Sequence, residues 1–248
     1  IDVNFKFKKV FNKISNKSKN YIKKSFEISF KLMNKKLAFG LINGPISKKH
    51  FLENKYPGVT EYIARKANCS KKEVMLIYNK KLSVSPITTH IPIRKVNKNI
   101  SIDKIVKNVL TINKFYKNKL KIIPKIAVTG LNPHCESSDF ASEEKKIIIP
   151  AIKKLQRKKI NIQGPYPADT IFIKKNSDKF NVVVGMYHDQ ILAPIKSLYS
   201  FQPINITLGL PYVRISPDHG PNNYMLGKNL SDPTSLKNSL NFFKKIKA

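Results

Sequence analysis

Apolar and polar positions repeat with two different periods along this chain, and the switches between them divide it into strands and helices. Val182-Val183-Val184 is an unbroken β-branched run, the pattern of a strand buried on both faces. Leu37–Ile42, Val74–Tyr78, Leu82–Ile87 and Lys125–Thr129 read as further strands, with Asn79–Lys81 as a hairpin turn. Helical spacing runs through Ile22, Phe26, Phe30 and Met33 of Tyr21–Asn34, and again through Ile102–Tyr116 behind the cap Ser101. Glu61–Ala67 forms a short helix with Thr60 as its cap, Glu143–Leu155 a helix interrupted by Pro150, and Ser235–Ile246 a closing helix. Lysine-rich Ile1–Lys19 is expected to be an edge strand leading into a loop, and Gly164–Thr170, with Pro165 and Pro167, a rigid turn. Strands alternating with helices predict a largely parallel sheet, and no internal repeat or flexible linker interrupts the pattern.

Parallel strands bring their carboxyl ends to one edge, where ligands of α/β proteins bind. Of five histidines, His90, His134, His188 and His219 follow apolar strands directly, each in an expected loop; His50 does not. Three neutral imidazoles supported by an aspartate make an open divalent-metal site. A lone histidine in such a loop is equally well explained as a structural hydrogen-bonding group. No pair has zincin spacing and no CxxC pair exists, so convergence rests on topology. Asp189 can orient His188, and Lys196, eight residues further on, can reach an anionic substrate. Lys48 follows the Asn43-Gly44-Pro45 turn, which reads as an ordinary turn or as a phosphate-binding loop. Arg214 follows a Gly-Leu-Pro turn, and its bidentate fork suits a carboxylate or phosphate.

Composition sets the class. At 248 residues the chain can bury a sizeable core as one large domain or two smaller ones, and no apolar run approaches a membrane span. The first residues show no charged, apolar and cleavage regions in order, and Cys69 and Cys135 make no disulfide framework. A cytoplasmic location with free thiols is expected. The formal charge of +32 points to polyanions, but it is spread along the chain and nearly all lysine, with arginine only at 65, 94, 157 and 214. Nucleic-acid readers cluster arginine with interleaved aromatics. The excess therefore reads as compositional drift, with no membrane and no specific nucleic-acid partner expected.

Eight motifs carry a family resemblance: NGPISK (43–48), PGVTEY (57–62), TTHIPI (88–93), GLNPH (130–134), GPYPADTIF (164–172), YHDQILAPIK (187–196), NITLGLPYVR (205–214) and PDHGPN (217–222). In this order and spacing, from about Tyr21 to the C-terminus, they resemble the 4-hydroxythreonine-4-phosphate dehydrogenase family of vitamin B6 biosynthesis. The resemblance implies an α/β fold of two αβα domains, similar to isocitrate and isopropylmalate dehydrogenases, with the active site in the interdomain cleft at a homodimer interface. The first domain would comprise 1–50 plus 225–248 and the second 51–224. It implies oxidation of 4-phosphooxy-L-threonine at C3 by NAD (or NADP), bound without a GxGxxG loop, with decarboxylation to 3-amino-2-oxopropyl phosphate.

Carried over residue by residue, the resemblance assigns a divalent metal (zinc, magnesium or cobalt) to His90, His134 and His188, in a site shared between subunits. Thr60, Lys196, Asn205 and Arg214 match substrate positions. Asp189, Lys196 and Asp218 are the catalytic candidates, and His219, Gly220 and Asn222 lie where the nicotinamide approaches. Three departures stand out. PGHTE reads PGVTE here, so Val59 replaces a substrate-contacting histidine. The loop after GLNPH is Cys135–Ser142 in place of a glycine-rich one. The family's first strand and GDPAGIGP-like loop are expected to be missing, a start roughly eighty residues late against a typical domain complement. A dehydrogenase of a related phosphorylated four-carbon hydroxy acid, or a non-catalytic phosphate- or nucleic-acid-binding descendant, are the alternatives.

Overall fold

The computed structural model describes every residue except 8, 9, 11–15, 54, 57, 136–141, 222 and 248, and of residues 48, 49, 223 and 247 it describes the backbone alone. In chain order the elements are α1 (Asn16–Asn34), β1 (Gly40–Ile42), α2 (Lys48–Leu52), α3 (Val59–Lys66), β2 (Val74–Tyr78), β3 (Ser83–Thr88) and α4 (Ile102–Phe115). They continue with β4 (Ile126–Thr129), α5 (Ile149–Arg157), β5 (Ile162–Tyr166), α6 (Lys174–Ser177), β6 (Val182–Tyr187), α7 (His188–Tyr199), β7 (Ile204–Leu208), β8 (Val213–Pro217) and α8 (Thr234–Lys247). The fold is α/β. Two compact units divide the chain: Ile1–Glu73 with Ile204–Ala248, and Val74–Pro203. Boundaries expected from sequence lay near 50 and 224. They fall at 73/74 and 203/204 because β8 ladders with β1 and β7 with β8.

In the first unit the strand order is β1-β8-β7, with β1 parallel to β8 and β8 antiparallel to β7. Residues four apart on α1 put Phe26 between Phe30 and Phe51, with Tyr62 of α3 edge-on to it. Leu41 of β1 and Val59 pack against this aromatic cluster, so α1, α2 and α3 cover one face of the sheet. α8 packs against β7 and β8. The expected N-terminal edge strand does not form among residues 1–7: the Phe5 ring rests on Phe7 and Tyr21 of α1 instead of joining a ladder.

The second unit has the order β2-β3-β6-β4-β5, parallel throughout except for the β2–β3 hairpin. Side chains alternate between its two faces. Val84, Ala127 and Val183 meet Ile191, Leu192 and Ile195 of α7 in one apolar cluster. On the other face of β3, the Ser85 hydroxyl donates to the Met75 carbonyl at 2.6 Å and lies 3.3 Å from Asn108 Oδ1 of α4, and Ser83 accepts from the Tyr116 hydroxyl at 2.8 Å. Ser101 caps α4, accepting from the Lys104 N–H. The break expected at Pro150 is a π-helical turn, Glu144–Ile148, and Pro150 itself sits in the first turn of α5, where its missing N–H costs nothing. Gly164-Pro165-Tyr166, expected as a turn, belongs to β5, an end strand that tolerates proline. Among the described residues no helix is long and apolar enough to cross a membrane.

Candidate active site

Three adjacent parallel strands of the second unit, β3, β6 and β4, present their carboxyl ends side by side. Thr88 lies opposite Tyr187, and its hydroxyl donates to the Met186 carbonyl at 2.7 Å, locking the ends of β3 and β6 together. His90 follows two residues later with a left-handed backbone (φ 46°). His188 does not sit in a loop, as expected, but is the first residue of α7, directly after β6. Gln190 makes that abrupt junction possible. Its Oε1 accepts from the Met186 N–H at 2.7 Å and the Thr129 hydroxyl at 3.0 Å, and its Nε2 donates to the Gly130 carbonyl at 2.7 Å. Gly185 lets α7 come this close: a Cβ there would stand 2.3 Å from Ile191 Cγ2.

The result is a pair of imidazoles. The rings of His90 and His188 lie 5.6 Å apart between centroids, and His188 Nδ1 is 2.6 Å from Asp189 Oδ1. An Nδ1–H donated to that carboxylate leaves the Nε2 lone pair for a metal, the usual support for a ligating histidine. His134 follows β4 in the turn Pro133–Cys135, exposed and left-handed (φ 57°). That turn is anchored by Glu144, only 1% exposed, whose Oε1 accepts from the N–H groups of Leu131 and Asn132, both at 2.8 Å. Burial pushes the Glu144 carboxyl up, but hydrogen bonds from Asn132 and Leu131 outweigh it and hold the group below the usual carboxylate range. Among the described residues no three His, Cys, Asp or Glu side chains stand close enough together to hold a metal ion. The donor type fits a divalent cation, and one chain brings together two of the three expected ligands.

The first unit builds a different kind of site around Arg214, which is 2% exposed. Its Nε donates to Asn43 Oδ1 at 2.7 Å, and its Nη1 to the hydroxyls of Thr207 at 2.9 Å and Thr60 at 3.2 Å. Burial lowers its pKa to about 10, against the pull of Glu61 and Tyr212, so the guanidinium remains charged at neutral pH. Thr60 is not the cap of α3: Gly58 holds that position, and Thr60 turns its hydroxyl to Arg214. Asn205, opposite Ser216 in the β7–β8 ladder, has a buried Oδ1 without a hydrogen-bond partner.

The remaining candidates are placed less closely. Lys196 is exposed in the last turn of α7, ~12 Å along the helix axis from His188, with its Nζ 5.9 Å from the Phe201 ring centroid. Asp218, His219 and Gly220 follow β8. The Asp218 N–H donates to Ser235 Oγ at 2.9 Å, and His219 Nδ1 lies 3.0 Å from the Gly220 carbonyl. Asn222 falls outside the described residues, as do most of Cys135–Ser142 and the side chain of Lys48. Sequence reasoning missed Asn43, Glu144, Gln190 and Thr207. Glu144 had a signal, since it shares a helical stripe with Ile148, Ala151, Ile152 and Leu155, a charge on an otherwise apolar face.

Residues 1–243 match the family described as pyridoxal phosphate biosynthetic protein PdxA. A 4-hydroxythreonine-4-phosphate dehydrogenase of Sulfurihydrogenibium sp. (strain YO3AOP1) is 43% identical over 205 residues, 81% of this chain and 63% of that protein. A D-threonate 4-phosphate dehydrogenase of Pectobacterium atrosepticum is 37% identical over 183 residues, 73% of this chain and 56% of that one. The crystal structure of a 4-hydroxythreonine-4-phosphate dehydrogenase from Klebsiella pneumoniae is similar with a TM-score of 0.82 at 29% identity, covering 95% of this chain and 73% of that one. An isocitrate dehydrogenase from Methylococcus capsulatus shares the fold alone, at a TM-score of 0.52 and 10% identity, over 82% of this chain and 67% of the other. The chain spans about three-fifths of the length of the curated relatives it matches. Matched along nearly its whole length, the chain belongs to the pyridoxal phosphate biosynthetic protein PdxA family.

Proposed function

We propose that this chain is the dehydrogenase of 4-phosphooxy-L-threonine in pyridoxal 5'-phosphate biosynthesis, oxidising C3 with NAD or NADP and releasing carbon dioxide to give 3-amino-2-oxopropyl phosphate. The observation that carries the reading is the His90–His188 pair, with Asp189 on His188 Nδ1, at the carboxyl ends of adjacent strands. His90, His134 and His188 would hold one divalent cation (zinc, magnesium or cobalt), the set being completed across a homodimer. The chemistry supplied when cation and nicotinamide are bound is acidification of the C3 hydroxyl and acceptance of the hydride. Arg214 binds the anionic end of the substrate, with Thr60 and Asn205 beside it. Lys196 supplies a second cation for phosphate or carboxylate, or takes the proton of the hydroxyl. Asp189 holds the His188 ring in one orientation. Asp218, His219, Gly220 and Asn222 meet the nicotinamide end.

Metal analysis of purified wild type beside His134→Ala tests this. The variant is expected to lose bound metal and NADH production together; unchanged metal content would sink the assignment. A second reading, oxidation of a related phosphorylated four-carbon hydroxy acid, is supported by the relative named D-threonate 4-phosphate dehydrogenase and by Val59. Val59 lies against the aromatic cluster of the first unit, where the resemblance implies a histidine on the substrate. Valine donates no hydrogen bond. Comparing kcat/KM on 4-phosphooxy-L-threonine and D-threonate 4-phosphate decides between the two readings.

A further inference from the structure

We infer that Asn43 and Thr207 are positioning residues for anion capture by Arg214: they aim its guanidinium without forming an ion pair with it. The inference rests on the reading of Arg214 as the anion-binding group. β8, which carries Arg214, lies between β1 and β7, and each neighbour contributes one acceptor. Asn43 stands one residue past β1 and takes the Nε hydrogen bond at 2.7 Å. Thr207, in register with Arg214 across the β7–β8 ladder, takes Nη1 at 2.9 Å. Two nitrogens of a planar fork are thereby fixed from opposite sides, which fixes the direction of the third. Among the described residues Nη2 has no hydrogen-bond partner, and no carboxylate forms an ion pair with the guanidinium.

A cation that is 2% exposed is ordinarily stabilised by a carboxylate, because a buried charge without a counter-charge is costly. Amide and hydroxyl oxygens satisfy Nε and Nη1, and the pull of Glu61, which forms no ion pair with the guanidinium, is outweighed by burial. That choice favours a ligand that brings the missing negative charge. Asn205 adds a position of the other kind: two residues before Thr207 on the same face of β7, it keeps a buried Oδ1 without a donor, which a hydroxyl or amino group of the same ligand would supply.

The distinguishing variant is Asn43→Asp, which keeps the shape and the acceptor but adds the counter-charge. Calorimetric titration with 4-phosphooxy-L-threonine and, separately, inorganic phosphate is expected to show binding weakened about tenfold or more, with Tm unchanged or raised. Asn43→Ala, which removes the acceptor without adding charge, is expected to weaken binding as well, and binding like wild type in that variant would overturn the positioning role of Asn43. Thr207→Val is expected to weaken binding and Thr207→Ser to restore it. Arg214→Gln separates the positioning role from the anion site. If it loses binding while Asn43→Asp binds like wild type, the positioning role is overturned and the anion site stands. If Arg214→Gln itself binds like wild type, the anion site falls and the positioning role with it.

Discussion

Glu144 is 1% exposed, yet its carboxyl is held below the ordinary carboxylate range, because the N–H groups of the Leu131–Asn132 turn reach it before water could. A folded-state pKa below the unfolded value means that ionised Glu144 stabilises the fold above the unfolded pKa, and that this contribution is lost as pH falls through the folded value. Glu144→Gln removes the charge and one acceptor while keeping the volume. The variant is expected to lose about 1.5–3 kcal/mol of stability at neutral pH, the range for hydrogen bonds to a charged group. Its urea midpoint should also fall less steeply than that of wild type below roughly pH 4.5, near the ordinary carboxylate pKa. Parallel acid dependence in the two proteins would show that Glu144 is not the titrating support of the His134 turn. Arg214 is a second buried charge whose direct hydrogen-bond partners are neutral groups, the side-chain oxygens of Asn43, Thr60 and Thr207.

Between residue and fold, the β6–α7 junction decides whether His188 meets His90. No loop separates the strand from the helix, so the direction of the His188 side chain follows from how closely α7 approaches β6. Gly185→Ala would place a methyl 2.3 Å from Ile191 Cγ2 and 3.0 Å from Gln190 Oε1, and the helix start must move to admit it. A stability loss of about 1–3 kcal/mol, as for other overpacked sites, should accompany weaker metal binding. Metal affinity equal to wild type in a destabilised variant would separate the junction from the site. The strands around this junction were legible because Val182-Val183-Val184 and Lys125–Thr129 carry no competing signal. The start of α7 was not, since Tyr-His-Asp-Gln has the composition of a loop and its helical state depends on Gln190 bonding across to β4. β5 was hidden by Pro165, whose missing N–H is harmless only on an end strand. Histidine order along the chain suggested convergence, and adjacency of β3 and β6 supplies it for His90 and His188. Which oxygens hold Arg214 could not be read at all, because Asn43 and Thr207 reach it only through the β1-β8-β7 register.

For the whole molecule charge outweighs every other surface property: 47 basic against 15 acidic residues leaves a formal +32 on 248 residues. Ion pairs join Lys19 and Lys55 to Glu53, Lys23 to Glu27, and Lys154 to Asp103, but 15 acidic residues cannot neutralise 47 basic ones. Such a surface repels itself, and the repulsion is relieved by salt once the screening length falls to ~10 Å at 0.1 M. Tm should therefore rise between about 20 and 300 mM sodium chloride, where a charge-balanced protein shows little change. The same lysines will hold polyanions at low salt. If they are dispersed drift, binding to single- and double-stranded DNA should be weak, indifferent to sequence, and gone over the range in which Tm rises, because each phosphate contact is offset by released counterions. The two measurements share one cause, so they should move in opposite directions along one salt titration. A protein that grew more stable with salt yet still held nucleic acid at about 150 mM, with preference for one sequence, would have its lysines organised into a recognition face.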